Sequence, residues 1–235
     1  MFTLDRINFH SIIWGDVIVS PRVEKIILPP EGCTSVEVLC SVINNNSCIS
    51  AYHFFQNLSE NEHVKFFELL LATILNEPLA KKFTISLNTP IQVIRQFDNF
   101  LSLLMNNKNQ KVAFELLESD IQNISAYEYG VLERLNKLPN VCLWLDDFGN
   151  NQSNFDIVLS KAVSFNTIKV SKELFWRLFD SDMDFLRSLL KYLSKAHCII
   201  VEGIETKQQL DFISDIKGVK AQGYYFNPQL ETING

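Results

Sequence analysis

Residues 141–149 read VCLWLDDFG, five consecutive apolar residues followed by two aspartates, a phenylalanine and a glycine. A short, continuously apolar run is typical of a strand that is buried on both faces, as in a parallel sheet covered by helices. Similar runs occur on either side: VEKIIL (23–28), SVEVLC (35–40), FTISL (83–87), KVAFELL (111–117), TIKV (167–170), CIIV (198–201) and VKAQ (219–222). The chain therefore predicts about eight strands.

Helical patterns fill most gaps between these strands. Ser59 and Glu62 have the spacing of a capping box that opens a helix through Leu75, and Pro90 is suited to an early helical position. The predicted helices cover residues 59–75, 90–105, 127–137, 155–162, 183–196 and 207–216. This alternation predicts an α/β fold, a (β/α)8 TIM-type barrel formed by residues 1–235 as a single domain. The start of the predicted barrel is irregular, because its first two strands follow each other without a helix between them.

Composition excludes several classes of protein. A hydrophobic content of 47% with 20% charged residues indicates a globular fold, and 8 Gly with 7 Pro indicate mostly regular structure. The net charge of −6 disfavours duplex DNA or RNA as a partner. Five scattered cysteines without a CxxC pair predict reduced thiols rather than disulfides or zinc. No export signal or membrane-length apolar run is present, so we expect a cytoplasmic protein without membrane contact.

Polar residues follow or end nearly every predicted strand, where a parallel barrel gathers them at one face. They are Glu37, Asn88, Glu115, Glu118, Asp146, Asp147, Lys169, Glu202, Glu205 and Gln222. Their oxygen-rich character favours Mg2+ or Mn2+ over zinc. The adjacent Asp146 and Asp147 are suited to a site of two ions, about 3.5 to 4 Å apart, which is typical of phosphate chemistry. Lys169 could then orient a nucleophilic water.

Other interpretations fit the same residues one at a time. An acid after a strand is commonly a helix N-cap, an asparagine there is commonly a turn residue, and a lone lysine commonly lies at the surface. A glycoside hydrolase could also use two such carboxylates as acid and nucleophile. Only Trp144 of three tryptophans lies near a motif, which disfavours a sugar cleft. The repetition at successive strand ends favours the metal site.

The motifs SVEVL, ISLNTP, FELLESD, LDDFG, IKV, VEGIET and QGYYF, in this order, resemble the EAL domain family of cyclic di-GMP phosphodiesterases. The resemblance implies a barrel whose first strand is antiparallel to the others. It implies hydrolysis of cyclic di-GMP to linear pGpG with two Mg2+ or Mn2+ ions. It assigns one ion to Glu37, Asn88, Glu115 and Asp146, with Asp146 shared by a second ion that Asp147 and Glu202 help to hold.

The resemblance implies roles for the remaining residues too. Lys169 would bind the attacking water, with Glu202 and Glu205 also among the catalytic residues. Gln222, Leu39 and Ser41 would face the substrate, and Glu118, Gly149 and Gly203 would support the acidic loops. Gly149 and Gly203 lie beside proposed site residues, where the backbone must turn sharply after a strand.

The chain also departs from the family pattern. Val38 replaces an alanine, Ser41 replaces an arginine that grips substrate phosphate, and Ser20 replaces a glutamine before Pro21. Residues 150–154 replace a loop that the family uses to couple the metal site to a dimer interface. Loss of one charge-assisted phosphate contact predicts a higher KM with kcat retained. The alternative is a module with weak or no catalysis that binds the nucleotide or a regulatory protein partner. The sequence does not decide whether the chain forms a homodimer.

Overall fold

The computed structural model describes residues 7, 9–150 and 163–226, and a closed barrel of eight strands forms its centre. The strands are β1 (Ile12–Trp14), β2 (Val17–Leu28), β3 (Gly32–Asn44), β4 (Ser47–Ile49), β5 (Thr84–Asn88), β6 (Lys111–Leu117), β7 (Val141–Phe148), β8 (Thr167–Val170), β9 (Cys198–Val201) and β10 (Val219–Gln222). The α-helices in the described ranges are α1 (Ala51–Gln56), α2 (Glu60–Leu75), α3 (Ile91–Arg95), α4 (Leu101–Asn106), α5 (Glu118–Ile121), α6 (Ala126–Asn136), α7 (Lys172–Ser181), α8 (Met183–Leu193) and α9 (Lys207–Ser214). Short 3-10 helices cover Pro78–Lys82 and Phe97–Asn99.

The pairing of β2 closes the barrel. β2 is antiparallel to both β3 and β10, whereas the pairs from β3 and β5 round to β9 and β10 are parallel. β1 and β4 pair only with the outer ends of β2 and β3, and they lie at the two ends of the strand order. The predicted (β/α)8 barrel with an antiparallel first strand is therefore confirmed.

Most predicted elements occur where the sequence placed them. β6, β8, β9 and β10 have the predicted bounds, and α2 begins after Ser59 with both hydrogen bonds of its capping box formed. β7 is three residues longer than predicted, because it continues through Asp146 and Asp147 to Phe148.

One helix prediction is wrong and another cannot be judged. Residues 90–105 form α3, a 3-10 turn and α4 instead of one helix, and Gln96 leaves helical geometry with φ −113° and ψ 26°. Asp98 and Asn99 follow at once, and their side chains compete with the backbone for hydrogen bonds, which weakens a helix. The break lets both Phe97 and Phe100 be buried. The helix predicted at 155–162 lies outside the described residues.

The core has two parts. A large cluster fills the space between the barrel wall and the helices, and it includes Phe67, Phe114, Phe148 and Phe175. A small cluster of Ile26, Ala113, Trp144 and Ile200 lies apart from it, on the opposite face of the strands. Those four side chains fill the inside of the barrel, as expected for a packed barrel of this kind. No helix in the described ranges is long and apolar enough to cross a membrane.

Candidate active site at the carboxyl ends of the strands

Alternation along the strands places the candidate site one pleat above the inner apolar cluster. Glu115 lies two residues after Ala113, Asp146 two after Trp144, and Glu202 two after Ile200. Residues two apart on a strand share a face, so these acids also face the barrel interior, nearer its carboxyl-end mouth.

Lys169 lies at the centre of this arrangement. Its side chain is 1% exposed, and its Nζ lies 2.9 to 3.1 Å from an oxygen of each of four carboxylates. These carboxylates belong to Glu37 on β3, Glu115 on β6, Asp146 on β7 and Glu202 directly after β9. The structure thus brings together five predicted site residues from five different segments of the chain.

Two amides complete the surroundings of Glu37. Asn88 Nδ2 donates to Glu37 Oε1 at 2.9 Å, and Gln222 Nε2 donates to Glu37 Oε2 at 2.7 Å. Asn88 ends β5 and Gln222 ends β10, so both predicted residues are brought to the same carboxylate. These hydrogen bonds fix the orientation of Glu37.

The pKa values of the cluster reflect burial of many acids with one cation. Burial raises the pKa of Glu115 well above its usual range, and the charge of Glu37 adds to this increase. Burial likewise raises the pKa of Asp146, and it raises the pKa of Glu202 to about 8. The pKa of Glu37 is lowered, because Lys169 and the hydrogen bonds to its carboxylate outweigh burial. One ammonium is therefore not enough to keep all the acids ionised near neutral pH.

Lys169 shows the complementary effect. Burial alone would lower the pKa of its ammonium, but the charges of Asp146, Glu115, Glu202 and Glu37 raise that pKa well above its usual range. The amine therefore stays protonated at any ordinary pH. It can donate hydrogen bonds and stabilise negative charge, and it cannot act as a general base.

Glu24 is a site residue that the sequence analysis missed. It lies on β2 directly opposite Glu37 in the antiparallel register, so both side chains leave the same face of the sheet. Burial, with the charge of Glu37, raises the pKa of Glu24 to about 7. The sequence VEKIIL carries no local signal for this, because its apolar residues do not alternate and it is the register with β3 that places Glu24 beside Glu37.

Asp147 is held in an unusual backbone conformation. Its φ is +59°, in the left-handed region that non-glycine residues rarely occupy, and the pairing of β7 with β8 shifts register between Leu145 and Phe148. Its charge also raises the pKa of Asp146. Such strain is often found at functional sites. Asp147 lies at the edge of the acidic cluster. Among the described residues, the ion pairs of Lys169 do not include Asp147.

The supporting residues around β7 are in contact. Gly149 N donates to Glu118 Oε2 at 3.2 Å, which connects the turn after Asp147 to the start of α5. Gly149 has φ +93°, and a Cβ atom there would clash with Leu174. Glycine is therefore required at this turn.

The turn after β9 depends on a second glycine. Gly203 has φ +73°, and a Cβ atom there would clash with Lys172. Its carbonyl oxygen accepts a hydrogen bond from Trp176 Nε1 at 2.7 Å, which fixes the turn against α7. This turn aims Glu202 at Lys169.

Other predicted residues lie at the rim or elsewhere. Glu205 is exposed just before α9, and no described contact joins its side chain to the cluster. Leu39 and Ser41 are half-buried on β3, on the same face as Glu37 and nearer the mouth. In the altered loop after LDDFG, Asn150 is described, whereas 151–154 lie outside the described residues.

The donor set agrees in kind with a hard divalent cation. It consists of carboxylate and amide oxygens, and the buried Glu115 Oε1 has no hydrogen-bond partner. In residues 9–150 and 163–226, however, no three Asp, Glu, His or Cys side chains are already spaced to hold a metal ion. The four carboxylates instead surround Lys169 Nζ.

Comparison with known proteins agrees with this geometry. The model of the EAL domain family matches residues 29–229. The cyclic di-GMP phosphodiesterase PdeH of Escherichia coli K12 is 35% identical over 97 residues, which cover 39% of this chain and 37% of PdeH. The cyclic di-GMP phosphodiesterase NbdA of Pseudomonas aeruginosa is 31% identical over 103 residues, 43% of this chain and 13% of NbdA. Both matches thus span less than two thirds of these relatives.

Solved structures share the fold along most of the chain. The EAL-like domain protein YdiV superposes with a TM-score of 0.72 at 19% identity, covering 97% of each chain. Bacillus subtilis YkuI, solved with cyclic di-GMP and calcium, gives a TM-score of 0.74 at 18% identity, covering 92% of this chain and 60% of YkuI. The sequence match, the barrel and the acidic mouth lead to one conclusion: this chain belongs to the EAL domain family.

Proposed function

We propose that this chain is a metal-dependent phosphodiesterase that hydrolyses cyclic di-GMP to linear pGpG in the cytoplasm. The observation that supports this most is the convergence of Glu37, Glu115, Asp146 and Glu202 on Lys169 at the carboxyl-end mouth of an EAL barrel. PdeH and NbdA, which are similar over part of their length, are cyclic di-GMP phosphodiesterases.

The proposed cofactor is two ions of Mg2+ or Mn2+. Glu37, Asn88, Glu115 and Asp146 would hold one ion, and Asp146, Asp147 and Glu202 the other. Bound divalent cations supply Lewis acidity toward the phosphodiester and lower the pKa of a coordinated water. They would also favour the ionised forms of Glu115, Asp146 and Glu202, whose pKa values are raised mainly by burial.

The chain's own residues have distinct roles in this proposal. Lys169, which stays protonated, donates a hydrogen bond to the attacking water and stabilises charge that develops on the phosphate oxygens. Gln222 and Asn88 hold the Glu37 carboxylate in place. Leu39 and Ser41 border the substrate at the mouth, and Glu118, Gly149 and Gly203 keep the acidic turns in position.

The direct test is an assay for pGpG from cyclic di-GMP with Mg2+ or Mn2+. We expect product from the wild type and at least a hundredfold lower rate from Glu37→Gln, which removes a metal ligand without changing side-chain size. Glu173→Gln, an exposed substitution on α7, is the matched control and should keep the wild-type rate. No product at millimolar substrate with either metal contradicts the proposal.

A second candidate is a module that binds cyclic di-GMP or a protein partner without turnover. The departures from the family pattern favour it, namely Ser41 in place of an arginine and the altered residues 150–154. Tight binding of cyclic di-GMP with Ca2+, Mg2+ and Mn2+ alike, and no pGpG with any of them, would favour this candidate over the enzyme.

A further inference from the structure

A large pocket adjoins the acidic cluster on the side of β3 and α2. Its volume is about 810 Å3. Its walls are mainly apolar and include Phe55, Phe66 and Leu70, whereas Leu39 and Asn88 connect it to the mouth of the barrel. The pocket therefore borders the proposed site, because Asn88 both lines it and donates a hydrogen bond to Glu37.

Arg22 of β2 is the one permanently charged side chain among the described residues that line this pocket. Its Nε and Nη1 atoms are buried and have no hydrogen-bond partner. No carboxylate lies within ion-pair distance of it in the described ranges. Arg22 as a whole is half-buried, and buried guanidinium nitrogens without a partner are costly for a folded protein, so an anion in front of Nε and Nη1 would satisfy them.

The strand register shows where such an anion would lie. Arg22 is paired with Leu39, and the next pair on the same face is Glu24 with Glu37. Two residues along a strand correspond to roughly 7 Å. The Arg22 side chain therefore starts one pleat nearer the mouth than Glu37, within reach of a group bound over the acidic cluster.

The cation of the cluster is shared among several acids, since Lys169 Nζ lies within 3.1 Å of four carboxylates. An anionic substrate bound above these acids is stabilised further by a positive contact on the side away from them. In the pocket wall, as far as the structure describes it, Arg22 is in that position.

We propose that Arg22 binds a phosphate oxygen of the substrate and anchors it from β2. This rests on the proposed function, because cyclic di-GMP is the phosphodiester concerned. Arg22 is a substrate-binding residue here and takes no part in the transfer of protons. Its contact is present before and during the reaction, so its loss should raise KM and change kcat little.

The test measures binding of cyclic di-GMP by calorimetry with Ca2+, and the kinetics with Mg2+ or Mn2+. Arg22→Gln should weaken binding ten- to a hundredfold and raise KM by a similar factor, the size expected for one charge-assisted contact. Its kcat should stay within about threefold of the wild type. Arg177→Gln removes the same charge at an exposed position of α7 and should leave binding unchanged.

A double variant tests the position of the charge. Ser41 is the next residue of β3 on this face and lies opposite Ser20, so it is a diagonal neighbour of Arg22. In Arg22→Gln with Ser41→Arg, a guanidinium returns to the same face from the adjacent strand. We expect this double variant to bind cyclic di-GMP at least tenfold more tightly than Arg22→Gln does.

Stability separates an anchoring role from a structural one. Because Arg22 Nε and Nη1 are buried without a partner, Arg22→Gln and Arg22→Met should melt at or above the wild-type temperature without ligand. Loss of stability in both variants, or wild-type affinity in both, overturns the inference about Arg22 alone. Wild-type protein that neither binds nor hydrolyses cyclic di-GMP overturns both this inference and the proposed function.

Discussion

Two layers inside the barrel differ in chemistry although they lie two residues apart on the same strands. The lower layer is Ile26, Ala113, Trp144 and Ile200, which are at most 2% exposed. The upper layer places Glu24, Glu115, Asp146 and Glu202 on the corresponding strands or directly after them. The comparison shows that one pleat, about 7 Å along a strand, separates the apolar residues that fill the barrel from the charged residues that are costly to bury. Substitutions in the two layers should therefore affect stability and activity in different proportions.

The upper layer depends on a single ammonium. Lys169→Met leaves three buried carboxylates and the partly exposed Glu202 without their cation, and we expect a loss of about 3–5 kcal/mol in the free energy of unfolding at neutral pH. Phosphodiesterase activity should fall at least a hundredfold, because the proposed partner of the attacking water is gone. Urea denaturation in the presence of EDTA measures the first effect, and pGpG formation measures the second.

The control for this substitution is Lys191→Met, which removes an exposed lysine in the last turn of α8. It should change the free energy of unfolding by less than about 0.5 kcal/mol. Added Mn2+ should stabilise Lys169→Met more than it stabilises the wild type, because the acids no longer hold a competing cation. Equal stability of Lys169→Met and wild type in EDTA would show that the upper layer does not depend on this ion pair network.

The lower layer responds to loss of volume. Trp144→Ala removes the largest side chain of the inner cluster, which is 2% exposed, and should cost about 3–5 kcal/mol in the free energy of unfolding. Asp146 lies two residues further along the same strand, so some loss of catalytic rate is also expected. That loss should be smaller than for Lys169→Met, since every charged group is still present.

Tyr192→Ala is the matched control for Trp144→Ala, because it removes an aromatic ring that is 54% exposed. It should change the free energy of unfolding by no more than about 1 kcal/mol. If Trp144→Ala were as mild as Tyr192→Ala, the inner cluster would not be a packed layer. If it abolished activity without loss of stability, the separation of the two layers would be wrong.

The layers themselves could largely be predicted from the sequence. Continuous apolar runs predict the strands of the barrel, and the polar residues in or directly after these runs predict most of the upper layer. Lys169, Asn88 and Gln222 appear where the strand ends place them, in contact with predicted acids. These predictions succeed because strand period and chain order alone decide which residues share the mouth.

Features that depend on register or on local geometry could not be predicted. The antiparallel pairing that sets Glu24 opposite Glu37 and Arg22 opposite Leu39 joins two neighbouring strands whose offset no motif specifies. The positive φ of Asp147 depends on the shift between β7 and β8. The simultaneous contact of Lys169 with four acids requires the closed barrel. Each is a tertiary effect without a local sequence signal.

Glu24 gives the smallest and most specific test of the comparison between layers. Its folded-state pKa of about 7 lies above its ordinary value of 4.5, so the folded protein keeps a proton that the unfolded chain loses between these pH values. The unfolding free energy should therefore fall as pH rises through this window, by at most about 3.5 kcal/mol at roughly 1.4 kcal/mol per pH unit. Glu24→Gln removes this contribution.

Urea denaturation of metal-free wild type and Glu24→Gln, from pH 5 to pH 8, measures the difference. The free energies of unfolding of the two proteins should be similar near pH 5, where Glu24 is protonated in the folded state. Toward pH 8 the variant should become the more stable protein. The other acids of the upper layer titrate in both proteins, so their contribution largely cancels in the difference. For Glu173→Gln, a substitution at an exposed position, the free energy of unfolding should change with pH as it does in the wild type. A constant difference across this range would mean that Glu24 does not share the charge environment of Glu37, and the upper layer would then begin at β3.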